Sequence, residues 1–344
     1  MKARTGAVAE TGTETDTEAD TVTGADTVTD TATDPGSGLP PGRRFLPLSV
    51  FYRRRFGGSV HKVPLDAGLT CPNADGTKGV GGCTFCDNRS FSPARRQGLP
   101  TVREQIDLGI ERTELRYGER RFLAYFQAAT NTYGPVDLLR DLWEQALDHP
   151  RIEGLVIGTR PDCLPEEVLD LLEEIAGRTH VSLEIGLQSL SDAVLRWTRR
   201  GHDAASFFDA VERARGRGIE LVVHVILGFP GETRDDARRL GEVLGPMGID
   251  GIKIHALHVV RETPLELLFR EGRLALISLE EHAARAADIL ESLPTTVAIH
   301  RLSADAPGRW LVAPSWCRDK HRVVRAVEAE LEARGSWQGQ RARG

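Results

Sequence analysis

Long apolar runs are missing from this 344-residue chain, and nothing in it approaches the roughly 18 consecutive apolar residues of a membrane span, so no transmembrane segment is expected. The N-terminus also lacks the apolar stretch of a secretory signal, and it is too acidic for a transit peptide. Cytoplasm is therefore the expected location. Cysteine is scarce: there are five, an odd count in a large chain, with three of them inside residues 71–86. That excludes a fully paired disulfide framework and favours metal binding in a reducing compartment.

Charge of one sign is missing as well, once the chain is divided. The net charge of −6 lies within residues 1–42, where Glu10, Glu14, Asp16, Glu18, Asp20, Asp26, Asp30 and Asp34 face only Lys2 and Arg4. The rest is electrically balanced, so only local clusters speak for an anionic partner. From Thr11 to Asp34 the residues cycle through Thr, Asp, Glu, Ala and Val with no aromatic, and Pro35-Gly36-Ser37-Gly38 follows. Such a stretch cannot bury enough apolar surface to offset its chain entropy, and residues 1–42 read as a disordered acidic tail.

Beyond residue 43, apolar runs suited to buried parallel strands alternate with amphipathic helices. Six strands are expected, at Lys62–Ala67, Phe122–Ala128, Gly154–Thr159, Val181–Leu187, Leu221–Leu227 and Gly251–Leu257. A helix opening at Pro165 carries Val168, Leu169, Leu171, Leu172 and Ile175 on one face and stops at Gly177; another covers Glu280 to Leu293. Repeated βα units imply an α/β fold with a parallel sheet, open or closed into a barrel. One core domain over 43–320 and a C-terminal helix and tail over 321–344 complete the expected organisation.

The chemistry-bearing segment follows the first strand, with Cys71, Cys83 and Cys86 in C-x11-C-x2-C spacing. Most of the intervening residues are Gly, Asn, Asp or Pro, which lets backbone wrap closely around a bulky group. Thiolates serve iron–sulfur clusters and zinc alike, and either normally takes four protein ligands. Three clustered thiols leave a coordination position open, as a catalytic centre needs. A zinc-binding module without catalysis is the competing reading, with His61 or Cys163 as a fourth ligand, although no second C-x2-C or H-x3-5-H partner stands at finger spacing. Cys163 and Cys317, remote in sequence, read as buried free thiols.

Around this loop the chain resembles the radical S-adenosylmethionine (SAM) superfamily: Phe85 before Cys86, Thr159-Arg160-Pro161-Asp162, Glu184-Ile-Gly-Leu-Gln188-Ser189, and Gly228-Phe-Pro-Gly-Glu232-Thr233. Tyr125-Phe-Gln127-Ala-Ala-Thr-Asn131-Thr-Tyr133 and Lys253-Ile-His255-Ala-Leu-His258 are similar to the YhcC-like branch, related to the elongator catalytic subunit. The resemblance implies a partial (βα)6 barrel and a [4Fe-4S] cluster on Cys71, Cys83 and Cys86, with SAM chelating the fourth iron. It further implies reductive SAM cleavage to a radical that abstracts hydrogen from a substrate, with an electron donor such as flavodoxin or ferredoxin. Phe85 would lie against the adenine, while Gln127, Asn131, Arg160, Glu184 and Gln188, at C-terminal strand ends, are candidate SAM contacts. His255 and His258 are candidate proton donors or acceptors near the substrate, and His224 reads as structural.

Two substrate classes follow. Arg53-Arg54-Arg55 with Phe45, Phe51, Tyr52 and Phe56, expected to flank the mouth of the barrel, and a second cluster containing Arg318, Arg322 and Arg325, combine phosphate-binding charge with stacking surfaces. Kinship to the elongator subunit makes a tRNA wobble uridine the expected target. A small metabolite or a protein is the alternative.

Overall fold

The computed structural model describes residues 33–34, 37–96, 98–303, 306 and 308–342. Most of the expected acidic tail lies outside the described residues. Near its end, however, Leu39 is fully buried against Leu46, Val50 and Trp337, so the packed body reaches back past residue 43.

Strands β1 (Val60–Leu65), β2 (Arg121–Phe126), β3 (Ile152–Thr159), β4 (His180–Gln188), β5 (Glu220–Leu227) and β6 (Gly251–Ala256) match the six expected runs within a few residues. A short β7 (Val259–Val260) precedes β8 (Ala298–Arg301) and β9 (Leu311–Ala313). The main sheet is parallel throughout in the order β1-β2-β3-β4-β5-β6-β8, so a seventh strand, β8, corrects the count of six. Strands β7 and β9 pair antiparallel beyond the C-terminal end of β6.

Helices α1 (Leu48–Phe56), α2 (Val102–Tyr117), α3 (Val136–Leu147), α4 (Glu166–Ala176), α5 (Asp192–Trp197), α6 (Ala204–Ala214), α7 (Arg234–Leu244), α8 (Pro264–Arg270), α9 (Leu279–Leu290) and α10 (Lys320–Ala333) complete the frame. Their starts follow local chemistry. Thr101 and Thr233 close capping boxes with Glu104 and Asp236, and Ser191, Asp203, Thr263 and Ser278 each accept a first-turn amide.

Alternation along each strand separates two environments. In β4, Val181, Leu183, Ile185 and Leu187 face outward into the main apolar core with Val168, Leu172 and Phe207 from the helices. Ser182, Glu184 and Gly186 face the concave side. Helix α1 plugs that side from below: Leu48 and Tyr52 pack with Val60, Leu123, Tyr125, Val156 and Ala298. It also covers the seam where β1 and β8 fail to pair. There Pro47 bridges Ile299, and the Ile299 amide donates to the Leu46 carbonyl at 2.8 Å.

Candidate active site

The loop leaving β1 is anchored by a buried carboxylate. Asp66 accepts from Ser92 Oγ (2.5 Å), from Arg95 Nε and Nη2 (2.8 Å each) and from the Gly68 amide (2.9 Å), which fixes both ends of the cysteine loop. Within the loop, Gly76, Gly81 and Gly82 hold φ of +98°, +80° and +86°, and a Cβ at any of them would meet no atom within 4 Å. These positions give the chain its left-handed bends and leave room on the loop. Cys83 is buried, whereas Cys71 and Cys86 are half-buried. Asn73 Nδ2 lies 3.4 Å and Arg200 Nη1 3.7 Å from Cys83 Sγ.

Burial pushes the Cys86 thiol up, and the neighbouring Cys83 and Cys71 push it further. Among the described residues no group of three or more His, Cys, Asp or Glu side chains is already arranged to hold a metal ion, so the three thiols of this loop would have to draw together around a cluster. A soft donor set of three thiols, with N–H donors on one sulfur and open backbone around them, fits an iron–sulfur cluster. Cys163, remote in sequence, also reaches this neighbourhood. Its thiol is pushed up to about 12, chiefly by burial and then by Asp162, with Cys71 contributing.

Below the loop, the concave face carries a charged network. Glu184 is fully buried; its Oε1 accepts from Lys62 Nζ at 2.9 Å, and its Oε2 lies 2.8 Å from Lys253 Nζ and 2.9 Å from His224 Nε2. Burial alone would raise the Glu184 pKa, but Lys253 and Lys62, then His224, outweigh it and hold the carboxyl well below the usual range. Lys253 Nζ also donates to Tyr125 Oη at 3.1 Å and stands 4.6 Å from that ring's centre. A deeper layer follows, in which Glu220 accepts from Ser182 Oγ at 3.0 Å and approaches His180 at 3.2 Å. Burial and then Lys62 hold His300 down to about 3, which keeps it neutral. His224 and His255 face each other from β5 and β6 with ring centres 5.2 Å apart.

The other expected site residues surround this chamber. Arg160 is buried and pairs with Asp162 through Nε (2.9 Å) and Nη2 (2.8 Å), while its Nη1 donates to the Arg200 carbonyl. Lys78 from the cysteine loop meets the same Asp162 at 2.5 Å. Asn131 Nδ2 donates to the Phe126 and Gly158 carbonyls, leaving its buried Oδ1 without a partner. Gln188 ends β4 at a bulge with φ +71°, and the Gln127 amide donates to the Leu65 carbonyl at 3.3 Å. Phe85 packs near Phe229, their centres 6.2 Å apart, and His258 bonds back to Ala256 O through Nδ1.

Over residues 77–244 the sequence matches the Radical SAM superfamily, and over residues 249–333 the Radical_SAM C-terminal domain. Protein YhcC of Escherichia coli (strain K12) is 41% identical over 283 residues, covering 82% of this chain and 90% of the relative. The chain belongs to the radical SAM superfamily. Its place is in the YhcC-like branch related to Elongator. Elongator complex protein 3 of Danio rerio is 32% identical over 158 residues, 45% of this chain and 28% of that protein. The archaeal Methanocaldococcus infernus Elp3 with an N-terminal deletion shares the fold, with a TM-score of 0.63 and 18% identity over 81% of this chain and 64% of that one. Membership makes this radical SAM protein an enzyme of the class that uses a [4Fe-4S] cluster and SAM. No helix among the described residues is long and apolar enough to cross a membrane.

Several expectations need correction. Phe45 and Tyr52 are core residues at 1% and 2% exposure, so neither offers a stacking surface. Helix α1, with Arg53, Arg54 and Arg55, lies at the N-terminal ends of the strands, because Pro47 joins it to β8 and Arg55 acts on Asp250 just before β6. Arg318 and Arg322 lie at the opposite end, after β9, so the two basic clusters do not form one surface. His224, read as structural, touches Glu184 at 2.9 Å and is partly open, and Lys62 and Tyr125, named only within a strand and a motif, join the same charged network. Their signal was a lysine and a tyrosine hydroxyl inside otherwise apolar strands.

Proposed function

We propose that the chain cleaves SAM reductively at a [4Fe-4S] cluster held by Cys71, Cys83 and Cys86, and acts on a substrate bound over the concave face. The observation that carries this reading is the glycine-rich loop after β1 that bears Cys71, Cys83 and Cys86, with Asn73 Nδ2 3.4 Å and Arg200 Nη1 3.7 Å from Cys83 Sγ. Bound together, cluster and SAM would supply one-electron cleavage of a sulfonium carbon–sulfur bond. The chain's own residues do the rest. Asn73 and Arg200 orient Cys83 and moderate its charge, Asp66 with Arg95 fixes the loop ends, and the helix layers exclude water. His224 and His255, on the chamber's partly open side, are placed to exchange protons with a substrate, and Glu184 sets the orientation of His224.

Anaerobic reconstitution tests the reading. Wild-type protein is expected to bind about four irons per chain and to release 5′-deoxyadenosine with dithionite. Ala at Cys71, Cys83 or Cys86 abolishes both, whereas Ala at Cys317 changes neither. One zinc per chain and no SAM cleavage would overturn it. For the substrate we infer an RNA such as a tRNA wobble uridine, supported by kinship to Elongator and by exposed Arg318, Arg322 and Arg325 on the β9–α10 side. Charge reversal at Arg318 and Arg322 is expected to weaken tRNA binding and flatten its salt dependence by roughly one unit per lost contact. Salt-independent binding favours a small metabolite or a protein instead.

A further inference from the structure

The ribbon of β7 and β9 stands beyond the end of β6, and one tryptophan on it, Trp310, has no part in the charged network of the chamber. We propose that the Trp310 ring is a stacking platform for one unpaired RNA base at the rim of the chamber, with Arg309 and Arg318 taking the phosphates on either side of that base. This rests on the reading that the substrate is an RNA.

Placement comes first. Strand β6 ends at Ala256, His255 and His258 bracket the turn into β7, and Val260 of β7 pairs with Leu311 of β9. Trp310 immediately precedes Leu311, and its carbonyl accepts from the Arg261 amide at 2.9 Å, so the residue is tied to the chain that continues from His255. The cysteine loop closes on the same place from the other side. Its Thr84 carbonyl accepts from the Leu265 amide at the start of α8, at 3.0 Å. Arg89, three residues after Cys86, reaches Glu262 through Nη2 at 2.7 Å and stands 5.9 Å from the centre of the Trp310 ring. Trp310 therefore lies where the cysteine loop meets the ribbon that follows the His255 strand.

The ring is firmly held yet not covered. It packs with Ala256, Val260, Ala306, Leu311 and Cys317, and its Nε1 is buried with no hydrogen-bond partner. A buried indole N–H normally finds an acceptor, so this position is not explained by the N–H. The residue as a whole stays half-buried. Arg89 and Arg309 each stand 5.9 Å from the ring centre, the outer limit of a cation–π contact, and Arg309 is exposed. A base gains more from an aromatic face than a hydrated guanidinium does, so it takes the place of Arg309.

The charge around the ring suits the same ligand once the carboxylates are counted. Asp87 and Glu262 offset Arg89, and Glu266 is engaged by Arg270. Over residues 308–325, however, Arg309, Arg318, Lys320, Arg322 and Arg325 stand against Asp319 alone, with Glu280 of α9 acting on Arg322. Arg318 Nη2 donates to the Leu311 carbonyl at 3.2 Å, so Arg309 and Arg318 flank Trp310 on its two sides along β9. A polyanion that carries a π face at every charge uses both features, its phosphates on the arginines and one base on the ring. A small metabolite would use the ring and leave the run of charge towards Arg325 unexplained.

The experiment uses the full chain with W310F, which keeps an aromatic face, W310L, which keeps apolar packing without one, R309A, and W197L, which removes an exposed tryptophan elsewhere. Binding of a tRNA transcript and of oligouridylate is measured across a range of salt, with quenching of tryptophan emission recorded alongside. Expected is a loss of affinity of about tenfold for W310L, most of it restored in W310F, because stacking needs the face rather than the indole. R309A is expected to flatten the salt dependence by roughly one unit, whereas W310L leaves that slope as it was. RNA quenches part of the wild-type emission, W310F loses that part, and W197L binds RNA as wild type does. Equal affinity in W310L and wild type, equal losses in W310L and W310F, or weaker SAM binding by W310L in the absence of RNA, which would put the ring on SAM, would overturn the proposal. If the wild-type chain binds neither RNA, the RNA reading itself fails; RNA binding that ignores Trp310 sinks the platform alone.

Discussion

Glu184→Gln removes the one carboxylate that holds two buried lysines. At 2.9 Å from Lys62 and 2.8 Å from Lys253, each contact is worth about 6 kcal/mol by Coulomb's law at an effective dielectric of about 20. Desolvation of three ions cancels most of that sum, so the pairs add little net stability. Breaking them is different. The side chains of Lys62 and Lys253 are each 2% exposed, and without Glu184 they lose the carboxylate that bonds both of them, leaving Glu220 to act on Lys62 from the next layer. The expected loss is about 3–5 kcal/mol, read from equilibrium denaturant unfolding of the cluster-free protein by circular dichroism. Removing a partner charge as well, in Glu184→Gln with Lys253→Met, is expected to recover a substantial part of the loss, a coupling that mere lost packing would not produce.

The sign of a pH effect gives a second readout. In Glu184→Gln a buried lysine is driven towards its neutral form, so its folded pKa falls below the unfolded value while the unfolded chain keeps binding the proton. Stability of the variant therefore rises as pH increases from neutrality towards the ordinary lysine pKa. A variant within about 1 kcal/mol of wild type, with no recovery in the double variant, would refute the argument that these ions are desolvated and interdependent.

Acid should destabilise the fold through histidines held neutral. Burial first of all keeps His282 at about 4 and His300 at about 3, against an ordinary 6.5, so the unfolded chain takes up more protons below that value and stability falls with pH by about 1.4 kcal/mol per unit for each. Glu232 opposes this: burial raises it to about 7, and its contribution is lost as pH rises from the ordinary carboxylate value, so Glu232→Gln should steepen the net slope measured by urea titration between about pH 5 and 6.5. Leu39→Ala should cost about 2–4 kcal/mol, because Leu39 is fully buried, while removal of residues 1–32 should leave the unfolding midpoint unchanged. Gly201→Ala should displace Asn73, since its Cβ would fall 2.4 Å from Asn73 Oδ1 at a φ of +73°; reduced cluster retention with an unchanged circular dichroism spectrum would be the outcome, and full retention would show that Asn73 does not support Cys83.

How far the sequence carried depended on the range of the interaction. Buried parallel strands are largely apolar runs, so β1 to β6 were legible to within a few residues. Strand β8, Ala298–Arg301, has four residues, two of them His and Arg, and its burial comes from neighbours rather than from its own composition. The cysteine loop was legible because its ligands are local, within one glycine-rich turn. The chamber was not. Lys62, Glu184 and Lys253 stand on β1, β4 and β6, which are not neighbours in the sheet, and only the curvature of the sheet across its concave face makes them meet. Reading each strand alone made Glu184 a candidate SAM contact, and the fold engages both its oxygens with Lys62, Lys253 and His224.

The same distinction explains where polarity was spent in this fold. A parallel sheet covered by helices on its convex side needs no charge there, and residues such as Leu183, Ile185, Val223 and Ile254 supply it with none. Charge on the concave side is costly unless paired, yet the chain places Lys62, Lys253, Glu184, Glu220, His180 and His300 there in two layers. Apolar residues of similar volume would be at least as stable. A desolvated network retained against that alternative is accounted for by the chamber above it. It holds the imidazole of His224 against Glu184 at 2.9 Å and the Lys253 ammonium against the Tyr125 hydroxyl at 3.1 Å, a polar floor on the concave face. That floor predicts a substrate group that is polar and able to exchange a proton, set against the Tyr125, His224 and His255 side of the chamber. His224→Asn should accordingly lower turnover of the true substrate more than SAM cleavage in its absence; equal losses in the two would assign His224 to SAM binding instead.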